Sequence, residues 1–384
     1  MTIIHSNDPI VRLSIELLPE FGFTVQDEPV YGPGSVFQGI VHLRMKESPV
    51  AADRVVLTFR GAEHATAVHD GTRFLVPLIN KPFFGMQQTL WQRTRDDCLL
   101  TERHYQFPFT IQMPMIQFPP SMDHALYQCK FDLSAKLIRT TFTLPPVITQ
   151  RTITYMPFIE TSLLKQPNIE EGCHNGLYAS AQLHSLAYVP GDSIPITIVT
   201  SRRQANKKKR MEDQPAEVNS ISLELCEKVE LVQCRAVSVT RVVASSLYKA
   251  NKSKGHKQYS VIKTLNGGAG GGGAEYQVAL PLPVDLTPSI NYSKVVRVSY
   301  TLRIKIKSSH CSLMGPLFNS VVDMELPLKI GTLGYGIRAS QDLQVYYVDT
   351  PDSPRFLRSL EYEESLPLYE SSRLPAYQDS RLIT

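Results

Sequence analysis

The chain has 384 residues, of which 42% are hydrophobic and 20% are charged, so it is long enough to bury a core in two or three domains. Its formal net charge is +4; residues 349–384 contain seven acidic and four basic residues, so they carry −3 and the rest carries +7. That charge is far below that of a dedicated nucleic-acid binder, and no run of 18 apolar residues could cross a bilayer. We therefore expect neither a nucleic-acid partner nor a membrane-spanning helix.

Alternating apolar and polar residues predict β-strands with one buried face along most of the chain. The apolar positions, in chain order, are Phe37, Val41, Leu43 and Met45; Val55, Leu57 and Phe59; Phe131, Leu133, Ala135 and Leu137; Ile194, Ile196 and Ile198; Ile221, Leu223 and Leu225; and Val296, Val298, Tyr300, Leu302, Ile304 and Ile306. No long stretch shows the apolar spacing of a helix. The predicted fold class is therefore all-β, with antiparallel sandwiches or barrels.

Turn motifs occur in the same order in the two halves of the chain. Tyr-Gly-Pro-Gly at 31–34 precedes a strand in the first half, and Tyr-Val-Pro-Gly-Asp at 188–192 precedes one in the second. Further along, Phe-Pro-Pro-Ser at 118–121 and Leu-Thr-Pro-Ser at 286–289 each lead towards another strand. This self-similarity predicts two like domains in tandem.

Composition divides the chain into three parts. Pro145, Pro146 and Pro157 interrupt the strand pattern, so we place the first domain at 10–155 and the second at 160–348. After Asp349 the chain is too polar to offset the entropy cost of folding alone, which predicts a disordered C-terminal tail over 349–384.

Three blocks of sequence resemble the arrestin fold family, and specifically its fungal alpha-arrestin branch of trafficking adaptors. The first is Val-Tyr-Gly-Pro-Gly-Ser-Val-Phe-Gln-Gly-Ile-Val at 30–41. The second runs from Leu90-Trp91 through His-Tyr-Gln-Phe-Pro-Phe at 104–109 to Ser121, and the third is Tyr188 to Asp192 with its flanks over 186–198. With the weaker likeness of the flanking strands, the resemblance extends over residues 13–337.

The resemblance implies two tandem arrestin-like antiparallel β-sandwich domains and no catalysis. It also implies a cytoplasmic adaptor that binds the cytoplasmic tails of membrane transporters or receptors. The adaptor would bring a ubiquitin ligase with WW domains to them at the plasma membrane or endosomes. In this family the ligase-binding motif is usually Pro-Pro-x-Tyr, and this chain has none.

The predicted tail instead carries two Leu-Pro-x-Tyr motifs, a variant related to the family motif. Their residues are Leu366, Pro367 and Tyr369, and Leu374, Pro375 and Tyr377. Proline favours the extended polyproline II conformation, which presents side chains to an aromatic-lined groove at low entropic cost. Two copies would raise the avidity for a ligase with several WW domains. The alternatives are that the motifs occur by chance, or that one copy docks on the body of the same protein.

A dense basic cluster follows the strand predicted at 194–200. Its members are Arg202, Arg203, Lys207, Lys208, Lys209 and Arg210. One interpretation is contact with anionic lipid headgroups, to which each basic residue near the surface contributes about 1 kcal/mol. The others are nuclear localisation and a solvated hairpin loop that binds nothing. The glycine-rich segment 266–273 lacks the Lys-Ser/Thr that follows a phosphate-binding loop, so we interpret it as a connection between strands.

Motifs of catalysis are missing from the sequence. It contains no Gly-x-Ser-x-Gly, no His-Glu-x-x-His and no closely spaced His, Cys and Asp group with metal-ligand geometry. We therefore expect a protein that is not an enzyme and that holds no cofactor or metal. A hydrolase or metal enzyme on a sandwich scaffold is the alternative from another class, and it requires titratable groups that converge in a pocket.

The sequence thus predicts an adaptor that links membrane cargo to a WW-domain HECT-type ubiquitin ligase. Such an adaptor promotes ubiquitination, endocytosis and protein transport. The alternative within the same fold is an endosomal sorting-coat subunit, a retrieval scaffold that recruits no ligase and does not need the tail.

Overall fold

The computed structural model of the protein describes residues 4–5, 8, 10–18, 24–25, 28–46, 49–68, 75–94, 100, 103–140, 145–205, 211–249, 273–310 and 318–346. These ranges are built from β-strands. The strands of the first half are β1 (Ile4–His5), β2 (Val11–Leu17), β3 (Thr24–Val25), β4 (Glu28–Tyr31), β5 (Val36–Met45), β6 (Ala52–Val68), β7 (Leu75–Gln92), β8 (His104–Gln112), β9 (Ile116–Gln117), β10 (Met122–Asp123), β11 (Tyr127–Arg139) and β12 (Val147–Tyr155). The strands of the second half are β13 (Leu163–His174), β14 (Leu177–Ser185), β15 (Ala187–Tyr188), β16 (Ser193–Ala205), β17 (Met211–Pro215), β18 (Ser220–Leu231), β19 (Cys234–Lys249), β20 (Ala274–Pro281), β21 (Val296–His310), β22 (Phe318–Ile330) and β23 (Gln344–Val345).

Each half contains two main sheets. In the first half, an eight-stranded sheet has the order β3-β4-β12-β11-β6-β7, with β1 on β12 and β10 on β11, and a three-stranded sheet has the order β2-β5-β8. In the second half, one five-stranded sheet has the order β13-β14-β16-β17 with β20 on β16, and the other has the order β15-β22-β21-β18-β19. Most neighbours are antiparallel, so the predicted all-β fold of antiparallel sheets is confirmed.

The core consists of the inward residues of these strands. Every apolar residue of the six alternating segments named from the sequence is between 0 and 5% exposed. Residues 296–307, the clearest of these segments, lie within β21, between β18 and β22. The period-2 pattern therefore located the buried face of each of these strands correctly, as expected where one face of a sheet packs on another.

The two Pro-Gly turns predicted as repeats have the same geometry. Gly34 and Gly191 have φ values of 72° and 85°, which glycine adopts without steric cost at the third position of a turn after proline. In both turns the fourth residue closes the loop. Ser35 donates its amide to Gly32 O at 3.2 Å, and Asp192 donates its amide to Val189 O at 3.1 Å. The side-chain oxygen of the fourth residue also accepts the amide of the first, at 2.9 Å in each turn.

The two Pro-Ser turns are also equivalent, because each is joined to the last long strand of its own half. The Ser121 amide donates to Tyr155 O, and its hydroxyl oxygen accepts the Tyr155 amide, both at 2.9 Å. Ser289 repeats this reciprocal pairing with Ile330, at 2.8 and 2.9 Å. The residue before each Pro-Gly turn also pairs in parallel with that strand: Tyr31 with Tyr155, and Tyr188 with Ile330.

Within the described ranges, strand pairing joins the halves at one point, between β9 and β23. That pairing places β23, which falls within the predicted second unit 160–348, on the first sandwich. The predicted disordered tail, 349–384, lies outside the described residues.

Candidate functional site: the cleft between the two sandwiches

The repeated turns face each other across a cleft between the sandwiches, and they line two adjoining cavities. The apolar cavity has a volume of about 680 Å³. The first sandwich contributes Gly32 of its Pro-Gly turn and the segment 156–158 that follows β12; the second contributes Pro190 of its Pro-Gly turn and the segment 332–334 that follows β22. Cavities of this size that lie between domains are frequent ligand sites.

The polar cavity has a volume of about 610 Å³ and lies between the two Pro-Ser turns. Four of its lining residues are acidic and one is basic; they are Glu28, Asp123, Asp132, Asp285 and Lys130. Met156 and Val284 line both cavities, so the acidic surface adjoins the apolar one. A ligand that combines apolar side chains with a neighbouring cation is therefore matched to the cleft.

Phe118 lies at the centre of the contact between the sandwiches. Its ring is fully buried, with centroids 5.2 to 5.9 Å from the rings of Phe83, Phe84, Tyr155 and Tyr346. Its amide donates to the hydroxyl of Tyr155 at 3.1 Å, and that hydroxyl donates to Ile116 O at 3.0 Å. Burial raises the pKa of the Tyr155 hydroxyl, which therefore stays protonated and keeps both bonds.

Tyr292 extends from the second sandwich to this centre. It lies in the segment between β20 and β21, and its hydroxyl donates to Phe118 O at 3.1 Å. Burial raises the pKa of Tyr292, with Tyr155 as the next contribution. A buried backbone carbonyl of one sandwich is thus satisfied by a side chain of the other, which links the two across the interface.

Three consecutive residues hold the connection between the sandwiches. The Ile159 amide donates to Thr332 Oγ1 at 2.8 Å, and Thr161 Oγ1 donates to Leu333 O at 2.7 Å. Glu160 accepts from the Arg338 guanidinium and from the Ala339 amide, and these hydrogen bonds lower the pKa of Glu160. The linker therefore packs on the segment that follows β22.

After Ala339 the chain returns to the first sandwich. Strand β23 pairs in parallel with β9, Gln344 with Ile116 and Val345 with Gln117. Tyr346 then packs on Phe83 and Phe118 and donates its hydroxyl to Phe83 O at 3.3 Å. The described part of the chain consequently ends on the first sandwich, close to the interface.

A buried carboxylate of the second sandwich lies near the same interface. Glu227 is 1% exposed and lies between its cross-strand neighbours Arg241 and Tyr300. The Tyr300 hydroxyl donates to Glu227 at 2.8 Å, and the Arg241 guanidinium donates to it at 2.5 Å. These bonds satisfy the buried charge, and the hydrogen bond to Glu227 raises the pKa of Arg241.

The Glu227–Arg241 pair affects the pKa of His124 in the first sandwich. Burial lowers the pKa of His124; the Glu227 carboxylate acts to raise it, and the Arg241 guanidinium to lower it. Its Nδ1 accepts the Leu126 amide at 3.2 Å, which requires an unprotonated Nδ1. The neutral imidazole is therefore the form that fits this position.

The comparison with known protein families found a match in the second sandwich. Residues 174–335 match the family model of the arrestin (or S-antigen) C-terminal domain. The second sandwich is similar to an arrestin C-terminal domain. The match starts at the end of β13 and extends past β22. No curated protein matches the chain.

The structure describes only part of the basic cluster that the sequence predicts. Strand β16 extends to Ala205, so Arg202 and Arg203 lie within the strand, while 206–210, with Lys207, Lys208, Lys209 and Arg210, lie outside the described residues. Arg202 pairs with Leu177 and Gln214 across the sheet. Its Nε and Nη2 atoms are inaccessible to water and have no hydrogen-bond partner among the described residues. Those two nitrogens therefore face protein rather than solvent.

Both Leu-Pro-x-Tyr motifs, at 366–369 and 374–377, lie outside the described residues. Within the described ranges, no group of three or more His, Cys, Asp or Glu side chains could hold a metal ion. In the same ranges, no helix is long and apolar enough to span a membrane.

The sequence did not identify the residues that line the cleft. In the sequence the Pro-Gly and Pro-Ser turns indicate connections between strands and a repeat, whereas in the structure they also line both cavities. Their repetition was the available signal, since equivalent ends of two like sandwiches can face each other. The sequence contains no such signal for Tyr292, because nothing in its local sequence distinguishes it from other tyrosines next to strands.

Replacing Tyr292 by Phe should weaken the interface, because Phe118 O then loses its donor. We expect a loss of about 0.5 to 1.5 kcal/mol in the free energy of unfolding. Amide hydrogen exchange over 116–120 should become faster. The control is Tyr335→Phe, which removes an equivalent bond to Ala187 O within the second sandwich. Equal effects of the two variants on exchange at 116–120 would contradict the role of Tyr292 in joining the sandwiches.

The pKa of His124 predicts a loss of stability in mild acid. Because this pKa lies below the ordinary histidine value of 6.5, the unfolded chain takes up a proton first as the pH falls. Stability should therefore decrease as the pH falls through about 6.5. In His124→Asn, whose side-chain oxygen can still accept the Leu126 amide, this part of the pH dependence should disappear. Melting temperatures between pH 7.5 and 5.5 measure it, and identical slopes for the two proteins would refute the prediction.

Proposed function

We propose that this protein is an arrestin-like adaptor that links membrane cargo to a WW-domain HECT-type ubiquitin ligase. The observation that carries the proposal is the match of residues 174–335 to the arrestin C-terminal domain family. That match indicates a trafficking or signalling adaptor. Recruitment of the ligase is the more specific part of the proposal, and it rests on the two Leu-Pro-x-Tyr motifs at 366–369 and 374–377.

The adaptor performs no reaction in this proposal. The double sandwich binds the cytoplasmic tail of a transporter or receptor, and the motifs bind the ligase, so that ligase and cargo share one complex. Tethering raises the effective concentration of one partner near the other to about the millimolar range for short flexible connections. Cargo ubiquitination followed by endocytosis is the expected result.

The cleft is the part of the described body best suited to cargo. It combines an apolar cavity with an adjoining cavity that has four carboxylates. A cargo segment with apolar side chains beside lysine or arginine, as is common close to the cytoplasmic side of a membrane, would match both. This proposal places the protein in the cytoplasm, recruited to the plasma membrane or endosomes.

The basic cluster supplies a second contact in the proposal, with anionic lipid. In β16 the guanidinium of Arg202 is partly inaccessible, so the contact would depend mainly on Lys207, Lys208, Lys209 and Arg210. Weak lipid contact and weak cargo contact would reinforce each other, since both act on one protein at one membrane.

A sorting-coat subunit with the same fold remains the runner-up. It shares the sandwiches and the cleft but recruits no ligase. The tail motifs therefore distinguish the two functions.

The ligase step predicts that both motif tyrosines matter. The full chain and a peptide of residues 360–384 should bind tandem WW domains of a HECT-type ligase in isothermal titration. The double variant Tyr369→Ala, Tyr377→Ala should bind at least tenfold more weakly, a loss of about 1.4 kcal/mol or more. Tyr362→Ala is the matched control, because Tyr362 lacks the preceding proline. Absence of binding by both the chain and the peptide would favour the sorting-coat function.

The lipid contact predicts salt-sensitive binding to vesicles that contain phosphatidylserine. Replacing Lys207, Lys208 and Lys209 by Glu should weaken cosedimentation by about 100-fold or more, since each basic residue contributes about 1 kcal/mol. The control replaces Lys252, Lys254 and Lys257 by Glu, with the same change in net charge. If the two triple variants lose binding equally, net charge rather than this cluster is responsible.

A further inference from the structure

Two histidines and a glutamate form a row of close polar contacts on the first sandwich, in the three-stranded sheet β2-β5-β8. His42 lies on the central strand β5, Glu16 on β2 and His104 on β8. His42 Nε2 is 2.8 Å from Glu16 Oε2, and His42 Nδ1 is 3.3 Å from His104 Nε2. None of the three residues lines the cleft, so the row is separate from the proposed contact with cargo.

Strand register brings the three side chains together. His42 pairs with Ser14 of β2 and with Gln106 of β8. Glu16 and His104 lie two residues from these partners along their strands, and residues two apart point to the same face of a sheet. Diagonal neighbours on one face are within reach of long side chains. The row therefore crosses all three strands on the outer face of the sheet.

The spacing of the two imidazole nitrogens matches that of two ligands on one metal ion. Zn–N bonds of about 2.0 to 2.1 Å at the tetrahedral angle place the two nitrogens about 3.3 to 3.4 Å apart. The distance between His42 Nδ1 and His104 Nε2 is 3.3 Å. The two ring planes are inclined by only 12°, and the His104 ring is exposed. A shift of the His104 ring is therefore enough to direct both lone pairs at one ion.

Glu16 gives His42 the tautomer that a metal ligand needs. The carboxylate accepts a hydrogen bond from His42 Nε2, so this nitrogen carries the proton and Nδ1 keeps its lone pair. A carboxylate on the far nitrogen is the usual support of a metal-ligating histidine, because it orients the ring and raises its basicity. The His42 side chain is 13% exposed, so the surrounding sheet also holds the ring in place.

The charges around the row are mixed. Arg44 pairs with His104 across β5 and β8, and Arg12 pairs with Arg44 across β2 and β5. Both arginines are exposed, so water and salt screen their repulsion of a cation, and the Glu16 carboxylate opposes it. Imidazole ligands suit Zn²⁺ and similar transition metals, whereas Ca²⁺ and Mg²⁺ prefer oxygen ligands.

We propose that His42 Nδ1 and His104 Nε2 bind a divalent transition-metal ion of the Zn²⁺ class, and that Glu16 positions His42 for this role. Two protein ligands are fewer than a closed structural site has, so water fills the other positions and the ion exchanges readily. Binding requires His104 to carry its proton on Nδ1. The bound ion joins β5 to β8 on the outer face of the sheet.

Isothermal titration of the full chain with Zn²⁺ tests the site. One equivalent of bound Zn²⁺ should be lost in His42→Gln and, separately, in His104→Gln. Glu16→Gln should weaken binding of that equivalent about tenfold, as expected when the carboxylate behind a ligating histidine is removed. The control is His184→Gln, because His184 is an exposed histidine on β14 outside the row, and this change should have no effect.

Chemical labelling identifies the ligands directly. Zn²⁺ should protect His42 and His104 from modification by diethyl pyrocarbonate, read by peptide mass spectrometry, while His184 stays reactive. Mg²⁺ should protect neither ligand. Melting temperatures verify that the variants fold, and His104→Gln alters an exposed side chain, so the test does not depend on the His42 variant.

These measurements separate a metal site from a row held by hydrogen bonds alone. If Zn²⁺ leaves the labelling of both histidines unchanged, or if either folded histidine variant binds as much Zn²⁺ as the unaltered chain, the inference is overturned. Unchanged affinity in Glu16→Gln would refute the positioning role of Glu16. Each of these outcomes leaves the proposed adaptor function intact, because its contacts with cargo, ligase and lipid include none of the three residues.

Discussion

Burial of Phe118 is the constraint on which the arrangement of the two sandwiches depends. Its ring fills the core between Phe83, Phe84 and Tyr155 of the first sandwich. Its carbonyl accepts the Tyr292 hydroxyl of the second, and Tyr346 of the returning segment covers it. Aromatic pairs of this kind add about 0.5 to 1.5 kcal/mol each beyond the area they bury. Because one residue contacts all three parts, their relative positions are fixed together, and with them the cleft.

The cleft forms because the same pair of turns, Pro-Gly and Pro-Ser, occurs in both sandwiches. In each sandwich a Pro-Gly turn and a Pro-Ser turn are hydrogen-bonded to themselves or to the last long strand, so their positions are determined by backbone geometry. When the equivalent ends of two such sandwiches face each other, the turns of one lie opposite the turns of the other. Neither set of turns fills the space between the sandwiches completely. The apolar and polar cavities are the two spaces that result. Because one is lined by apolar residues and the other carries carboxylates, the two ends of the cleft differ chemically.

The buried polar groups of the two sandwiches serve the fold. The Glu227 carboxylate is satisfied by Tyr300 and Arg241, and the Glu63 carboxylate accepts the Tyr127 hydroxyl at 3.0 Å. Each sandwich thus encloses a carboxylate bonded to a tyrosine. Removing one partner of such a pair leaves a buried charge unsatisfied, which is costly. These groups therefore help to fix the register of neighbouring strands.

The sequence by itself determined the fold class, because inward residues of a sandwich strand must alternate, and Phe131, Leu133, Ala135 and Leu137 do so without interruption. It did not reveal the full length of β6, since the inward positions after Phe59 are Gly61, Glu63 and Ala65, and a buried carboxylate does not look apolar. The repeated turns were visible as motifs, yet their meeting across a cleft depends on contacts between residues far apart in the chain. Phe118 and Tyr292 are 174 positions apart, and only the tertiary structure could place a carbonyl of one opposite a hydroxyl of the other.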